Sequence, residues 1–451
     1  MNLIYNDDMK QITEKTIILI AICLAVLSGC GKKETLNYDF NTGTKNAPQY
    51  PDVNFAVISD IHVYTTELGS SGAAFEKVMN SDRKLLLDSI DLLDFAISEI
   101  LEKQAGFVLI PGDLTKDGEL VNHKIVAEKL QRLIEADIPV YVVPGNHDVN
   151  NPESFSFSGD TTQPVQNVSE QDFAQIYADY GYGSAFMRDT NSLSYTAEIT
   201  EGMWLLAIDA TRHNENVSGH HAIVGGKISQ ATADWIASVL READSRNIAV
   251  MAMMHHGFGE HWKGQAKLHP DYIILDFENF GKFLASWNVR VGFTGHYHAH
   301  DVKRNYFDNG KYLYDIETGS LITAPSPIRY ARINNNSLEI SSDFFIEKLH
   351  PGTDFAEKGH AFVKKTVMLE AANTLRKYKV SEKDIEIIAD AVGDAFAAHY
   401  SGDENPALRP KIQKSKLGLW GRVVLSTQQY VLDGLWQDLV PEDINLTINL
   451  N

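Results

Sequence analysis

Cysteine is nearly absent: Cys23 and Cys30 are the only two in the sequence. Both lie near the N-terminus, so the body of the chain has no disulfide framework, no thiolate metal site and no cysteine nucleophile. Basic charge is also short. Forty Lys and Arg face sixty Asp and Glu, a formal net charge of -20. That balance excludes a nucleic-acid backbone or an anionic membrane surface as the main partner. It leaves room for a phosphorylated substrate, because bound cations reverse the local field of an acidic site. Long apolar runs are missing as well: the longest, Ile17 to Leu27, falls short of the roughly 20 residues a bilayer span needs. No internal repeat stands out. Core material is plentiful, with 44% hydrophobic residues, which excludes intrinsic disorder. A chain of 451 residues suits a large α/β domain with an appendage.

Lys10 and Lys15 precede the apolar run, and Ser28-Gly29 follow it before Cys30. A basic head, a short apolar stretch and small residues describe a secretory signal. Leu27-Ser28-Gly29-Cys30 resembles a bacterial lipobox. That resemblance implies a signal peptide over residues 1–29, a lipid on the Cys30 sulfur, and export to the outer face of a bacterial cell membrane. A plain signal peptide or an anchor helix is the alternative. Residues 30–51, rich in Asn, Thr, Lys and Gly, read as a tether.

From residue 52 the pattern alternates between strand and helix. Asn54 to Ser59, Phe107 to Ile110 and Pro139 to Val143 are apolar runs that stop abruptly at polar or Gly/Pro turns. Between them, a helix capped by Ser81-Asp82 carries Leu85, Leu86, Ile90, Leu93, Ile97 and Leu101 near helical spacing. A second helix runs from about Glu119 to Ala136. This is the pattern of βαβ units and a mostly parallel sheet. Residues Asn150 to Asn191 interrupt it, first with Pro, Ser, Gly and Asp, then with Phe173, Tyr177, Tyr180, Tyr182 and Phe186. A lid over a site and an aromatic patch packed on the body are the two readings. The alternation resumes with Trp204 to Asp209, Ile248 to Met254 and Val289 to Thr294, and short strands continue to Phe345. After Pro351 the segments 356–378, 381–400 and 423–439 read as helices without histidine–carboxylate clusters. The expected organisation is an α/β catalytic domain over 52–350 and an all-α domain over 351–451.

Five successive strand ends carry metal-ligand residue types: Asp60 with His62, Asp113, Asn146 with His147, His255, and His296 with His298. Each alone has a bland reading, as a satisfied core histidine or an Asp capping the next helix. Together, at the strand ends where α/β folds collect ligands, they are hard to obtain by chance. Carboxylate, imidazole and amide without thiolate select Mn, Fe, Zn and similar ions over Cu(I) or an iron–sulfur cluster. A bridging carboxylate holds two such ions roughly 3.5–4 Å apart, where they generate hydroxide at neutral pH and polarise a phosphoryl oxygen. His213, His220, His221, His261, His269 and His300 lie in loops and read as ordinary exposed side chains.

The set Asp60-Ile61-His62, Gly112-Asp113, Gly145-Asn146-His147-Asp148, His255 and Gly295-His296-Tyr297-His298 resembles the motifs of the calcineurin-like metallophosphoesterases. The motifs stand in that family's order, over about Val53 to Phe345. The resemblance implies two packed β-sheets flanked by helices, a four-layer sandwich. It also implies two divalent metal ions (Mn, Fe or Zn), with Asp60, His62 and His298 on the first and Asn146, His255 and His296 on the second. Asp113 would bridge them, and His147 would orient the scissile phosphate and protonate the leaving oxygen. The fourth motif reads His255-His256-Gly257, where many relatives carry a proline soon after the ligand. His256 and Asp148 are expected one layer behind the ligands, Asp148 either orienting His147 or serving only the turn. The Asp-x-His opening and the exported form with a helical extension resemble bacterial class III cyclic-nucleotide phosphodiesterases. The implied activity is hydrolysis of a small phosphodiester, with 3',5'- or 2',3'-cyclic nucleotides as substrates, by attack of a metal-bridging hydroxide on phosphorus. A phosphomonoesterase, a nucleotidase or a nucleotide pyrophosphatase of the cell envelope would use the same metals. A non-catalytic binding lipoprotein would show erosion of a ligand or of the acid, and none is eroded. The choice of substrate is expected to lie with the 150–191 insertion, and the oligomeric state is not specified by the residues.

Overall fold

Val53–Val57 (β1), Val108–Ile110 (β2) and Val140–Val142 (β3) lie side by side and parallel. Helices Ala73–Met79 (α1) and Ser89–Lys103 (α2) connect the first pair and Leu120–Ile134 (α3) the second. In α2 the residues Leu92, Leu93, Ala96, Ile97 and Ile100 form a buried stripe at helical spacing, the face that packs on the sheet. The structure, a computed structural model, describes residues 36–451 apart from 42, 44–46, 81 and 309. The signal segment and the lipobox Cys30 lie outside the described residues. Among those described, no helix is long and apolar enough to cross a membrane.

The helix expected directly after Ser81-Asp82 begins at Ser89 instead. Residues Asp82 to Leu85 are not helical, because tertiary bonds hold them elsewhere: the Leu85 amide donates to the Ile322 carbonyl at 2.7 Å. Lys84 is buried there. The insertion contains a hairpin, Phe155–Ser158 (β4) with Thr161–Pro164 (β5), and a helix, Glu170–Ile176 (α4), started by a Ser169/Asp172 capping box. Phe173, Tyr177, Tyr180 and Tyr182 are buried. The Tyr177 hydroxyl pairs with His123 Nδ1 at 2.9 Å, and that of Tyr180 donates to the Ala127 carbonyl. The aromatic run therefore packs the insertion onto α3. Phe186, nearly half exposed, rests on Trp204 with ring centroids 4.6 Å apart.

Met187–Arg188 (β6), Tyr195–Thr200 (β7), Met203–Ile208 (β8), Ala249–Met254 (β9), Val291–Thr294 (β10), Asp301–Tyr306 (β11) and Tyr312–Glu317 (β12) form a second sheet in the order β11-β12-β10-β9-β8-β7-β6. Gln230–Ser245 (α5) and Phe277–Ser286 (α6) connect its parallel strands. Pro327–Asn334 (β13) and Ser337–Phe344 (β14) return to the first sheet. The two sheets share one apolar core. Phe55 stacks on Phe107 with centroids 4.7 Å apart and meets Phe293 of the other sheet edge-on at 5.4 Å, both favourable aromatic geometries.

The helical region follows: Phe355–Lys377 (α7), Glu382–Ser401 (α8), Leu419–Thr427 (α9) and Gln429–Leu435 (α10). Val367, Leu375, Ile388, Phe396 and Leu432 build a second core, into which Trp262 and Tyr297 of the preceding body pack. The chain then ends in a strand, Asn445–Asn449 (β15), antiparallel to β14. The all-helical reading of residues 351–451 omitted it. Its alternation of Leu446 and Ile448 with Asn and Thr is a period of two, but too short a run to stand out. The first sheet is completed in the order β15-β14-β13-β1-β2-β3.

Candidate metal centre

Each strand end named from the sequence delivers its side chain to one centre. Asp60 and His62 follow β1, Asp113 follows β2, Asn146 follows β3, His255 follows β9, and His296 and His298 follow β10. Asp60, His62 and His298 offer donor atoms within 4.8 Å of one another, and so do Asp113, His255 and His296. Asp113 Oδ2 lies 3.5 Å from His62 Nε2 and 3.3 Å from His255 Nε2, joining the two groups. Asn146 Oδ1 is 3.2 Å from His255 Nε2. All seven side chains are buried.

The backbone is bent to achieve this. Asp60, His62, Asp113, His296 and His298 all have φ between 37° and 76°, a left-handed region that costs a non-glycine residue of order 1–3 kcal/mol. Two glycines make room. A Cβ on Gly145 would lie 2.0 Å from Asp113 Oδ1, and one on Gly295 would lie 2.3 Å from Asp60 Oδ2.

Hydrogen bonding fixes which ring nitrogens are free. His255 Nδ1 donates to the Pro111 carbonyl at 2.7 Å and His62 Nδ1 to the Thr115 carbonyl at 3.3 Å. A carbonyl only accepts, so the proton sits on Nδ1 and each Nε2 presents a lone pair when the ring is neutral. His298 Nδ1 is occupied by the Thr323 hydroxyl. His296 is reversed, its Nε2 donating to the Asp271 carbonyl at 3.2 Å, which leaves Nδ1. The inward nitrogens then face the other ligand atoms: His62 Nε2 lies 3.3 Å from His298 Nε2, and His255 Nε2 opposes Asp113 Oδ2 and Asn146 Oδ1. Cations between these converging atoms would satisfy them together. Imidazole held by an outer carbonyl is also the arrangement of metal-ligating histidine. The donor set fits two divalent ions of the Mn, Fe or Zn type.

The side chains of the centre also act on one another's charge. Burial holds the His62 and His296 rings well below the usual imidazole range. At His255 burial is outweighed by the charge of Asp113, which raises it to about 9. The Asp113 carboxyl stays well below its ordinary value despite burial, because His255, His147 and His62 surround it.

His147 sits at the edge, with its Nε2 4.0 Å from Asp113 Oδ2. Its Nδ1 is held by Asp117 Oδ1 at 2.8 Å. Burial and Lys84 push this imidazole down, and the charges of Asp113 and Asp117 overcome them, leaving it raised. Asp117, which also pairs with Lys116, is therefore the carboxylate that orients His147, where Asp148 was one expectation. Asp148 lies beneath the site and accepts from the amides of Leu114, Thr115 and Gly145 at 2.8–3.1 Å. Burial and the charge of Asp113 raise it to about 7. It ties the Asp113 turn to the Asn146 turn. His256 points away, Nε2 to the Val224 carbonyl at 2.9 Å, with its ring against that of His296.

Above the centre lies a cleft of about 120 Å³. Its walls include Arg83 and Lys84, Tyr272 and Tyr297, and Phe396 and Tyr400 from α8. No residue of the 150–191 insertion borders it, so the expectation that this segment selects the substrate does not hold for the cleft. Sequence reasoning missed Arg83, Lys84, Asp117 and Tyr400. Two signs were available: a basic pair at a supposed helix N-terminus contradicts the helix dipole, and Asp117 stands four residues beyond Asp113 on one loop. Tyr400 gave none. The reading of the remaining histidines as exposed is corrected for His213, His261 and His300, which are buried, each against polar partners.

A family model described as calcineurin-like phosphoesterase matches residues 53–300. No curated protein matches the chain. Similar solved structures include a dimetal phosphatase from Danio rerio, at 17% identity and TM-score 0.46, with 65% of this chain and 96% of that one covered. A purple acid phosphatase from yellow lupin (Lupinus luteus) seeds is similar at 11% identity and TM-score 0.38, with 66% of this chain and 52% of that one covered.

Proposed function

The chain belongs to the calcineurin-like phosphoesterase family, a membership that implies two divalent cations, and we propose that it is a phosphodiesterase for small esters, cyclic nucleotides included. In this reading Asp60, His62 and His298 hold one cation, Asn146, His255 and His296 the other, and Asp113 both. Bound there, the cations would activate water and polarise a phosphoryl oxygen. The remaining work falls to the chain itself. Asp117 keeps a proton on His147 Nδ1 and favours the charged ring, so Nε2–H is available to the leaving oxygen as a general acid. Lys84 and Arg83 supply positive charge to phosphate oxygens that the metals do not take. The N-terminal pattern of Lys10, Lys15, the apolar run and Leu27 to Cys30 favours an exported, lipid-anchored enzyme.

The observation that carries the diester is the aromatic wall. Tyr272, Tyr297, Phe396 and Tyr400 line the cleft with the centre's residues, giving a second ester group a surface to stack on. Lys84 beside His147 favours the alternative, a doubly charged monoester, as in a phosphatase, nucleotidase or pyrophosphatase of the envelope. The test uses protein lacking residues 1–29 and loaded with Mn(II). Substrates are bis-p-nitrophenyl phosphate, p-nitrophenyl phosphate, and cyclic and linear nucleotides. Faster turnover of diesters is expected. Monoester preference would replace the reading by the phosphatase, and no turnover with any of several metals would sink it.

A further inference from the structure

Beside the metal cleft the helical region encloses a second cavity of about 230 Å³. Its character is opposite. Val367, Leu375, Ile388, Val424, Leu425 and Leu432 form its walls, and all of them are buried. The two spaces adjoin, since Arg83, His269 and Phe396 border both. Arg83 stands at this neck, donating from Nη1 to the Tyr400 hydroxyl at 2.8 Å and pairing with Glu370 at 3.4 Å. Leu268, on the rim, exposes 40% of its surface.

Native cores leave few voids larger than a water molecule, and an apolar cavity of roughly 150 Å³ stays dry and takes up benzene. A larger one, opening beside a site for phosphoesters, is suited to an apolar group joined to that phosphate. We propose that the enzyme accepts amphiphilic phosphodiesters: the phosphate lies over the metal centre, and an aliphatic ester chain passes Arg83 and Phe396 into the helical cavity. This rests on the phosphoesterase reading and adds the chemical class of the second ester group. Arg83 marks the boundary, its guanidinium held between Tyr400 of the metal cleft and Glu370 of the cavity, with its alkyl stem offered to the chain, as long cationic side chains do at apolar edges. The helical region thereby supplies specificity, while the strand ends supply the chemistry.

The test is a series of p-nitrophenyl alkyl phosphates (methyl, butyl and octyl) below their micellar range, with Mn(II)-loaded protein. KM should fall by about fourfold per buried methylene, at least tenfold from methyl to butyl, with kcat little changed. Ala371→Trp, which fills the cavity from α7, should bring the butyl and octyl KM back to that of the methyl ester. Leu425→Phe serves the same purpose should that variant not fold. Calorimetric titration with octylphosphonate and methylphosphonate reads binding without turnover. A KM independent of chain length, with the methyl ester still hydrolysed, overturns the inference and leaves the proposed function standing. Tight, Ala371-dependent binding of octylphosphonate with no ester hydrolysed would retain the cavity and refute the catalytic reading.

Discussion

Two buried clusters in this fold are made of the same residue types, histidine and carboxylate, and arranged in opposite ways. At the metal centre, ring nitrogens tied outward to carbonyls leave their partner nitrogens facing the other ligand atoms. Behind it, His261 lies between carboxylates: Nδ1 is 2.6 Å from Asp301, and Nε2 is 3.1 Å from Asp315 and 3.5 Å from Glu317. His399 extends the network, its Nδ1 meeting Glu404 and, at 3.9 Å, Asp301. Asp301, His399 and Glu404 are close enough to hold a metal, but Asp301 is already paired with the His261 ring, which its carboxylate neighbours hold in the charged form. The backbone agrees. Five of the seven residues at the first centre have positive φ, and none of His261, Asp301, Asp315, His399 and Glu404 does. Distance between ligand-type side chains is thus a weak criterion. What Nδ1 is tied to, a carbonyl or a carboxylate, and whether the backbone is strained to aim the ring, distinguish the two clusters.

The largest effect should come from the residue that makes the first cluster one centre. Asp113→Asn removes the charge shared by both groups, and turnover should fall on the order of 10³-fold or more. Elemental analysis should find metal reduced from near two to below one ion per chain, whereas Asp315→Asn should leave it unchanged. Two ions retained in Asp113→Asn would refute the bridging role. The counterpart in the second cluster is a matter of stability. Removing one partner of a buried ion network costs about 3–5 kcal/mol, so His261→Gln should unfold much earlier in denaturant while keeping its metal. Its pH dependence has a definite sign. Burial lowers this imidazole, but Asp315, Glu317 and Asp301 outweigh it and hold it well above the ordinary range. The folded protein therefore binds the proton more tightly than the unfolded chain. The stabilisation is complete below about pH 6.5 and is lost as pH rises through the folded value. The gap between wild type and His261→Gln should narrow at alkaline pH, and a gap that widens would show the ring to be neutral.

The first cluster was legible because its residues sit at the ends of apolar runs, where the sequence changes character within one or two positions. Asp60, Asp113 and Asn146 each follow a strand whose burial is complete at its last residues. The second cluster was not, since Asp301 and Asp315 lie within strands and His399 within a helix, with nothing local to distinguish them. Arg83 and Lys84 were hidden differently. Apolar spacing from Leu85 onward suggested a helix, and only the bond from Leu85 to Ile322, over two hundred residues away, withdraws those residues from it. Phe396 and Tyr400 occupy ordinary core-like positions of α8, and tertiary packing alone turns them toward the cleft.

A smaller effect tests the acid. His147 offers its Nε2 to the site, yet makes only a 4.0 Å approach to Asp113, longer than those of His62 and His255. His147→Gln should retain both metals and lose about 10²-fold in rate on esters with poor leaving groups. The loss should be much less for p-nitrophenolate, which leaves without a proton. Metal loss in this variant would make His147 a ligand.

The smallest expected effect bears most directly on the contrast between the clusters. Among the histidines at the metal centre, His147 has its Nδ1 held by a carboxylate, while His62 and His255 use carbonyls and His298 a hydroxyl. It follows the rule of the second cluster while standing in the first. A carboxylate partner adds a negative charge that favours imidazolium, which can give a proton, where a neutral carbonyl partner orients the ring without that charge. Asp117→Asn keeps the hydrogen-bonding oxygen and removes the charge. Rate should fall about tenfold with the metals retained, and the alkaline limb of kcat should move to lower pH because the ring gives up its proton sooner. A purely structural role for Asp117 would lower the rate without moving that limb. An unmoved limb would mean that the partner of Nδ1 does not decide between acid and ligand.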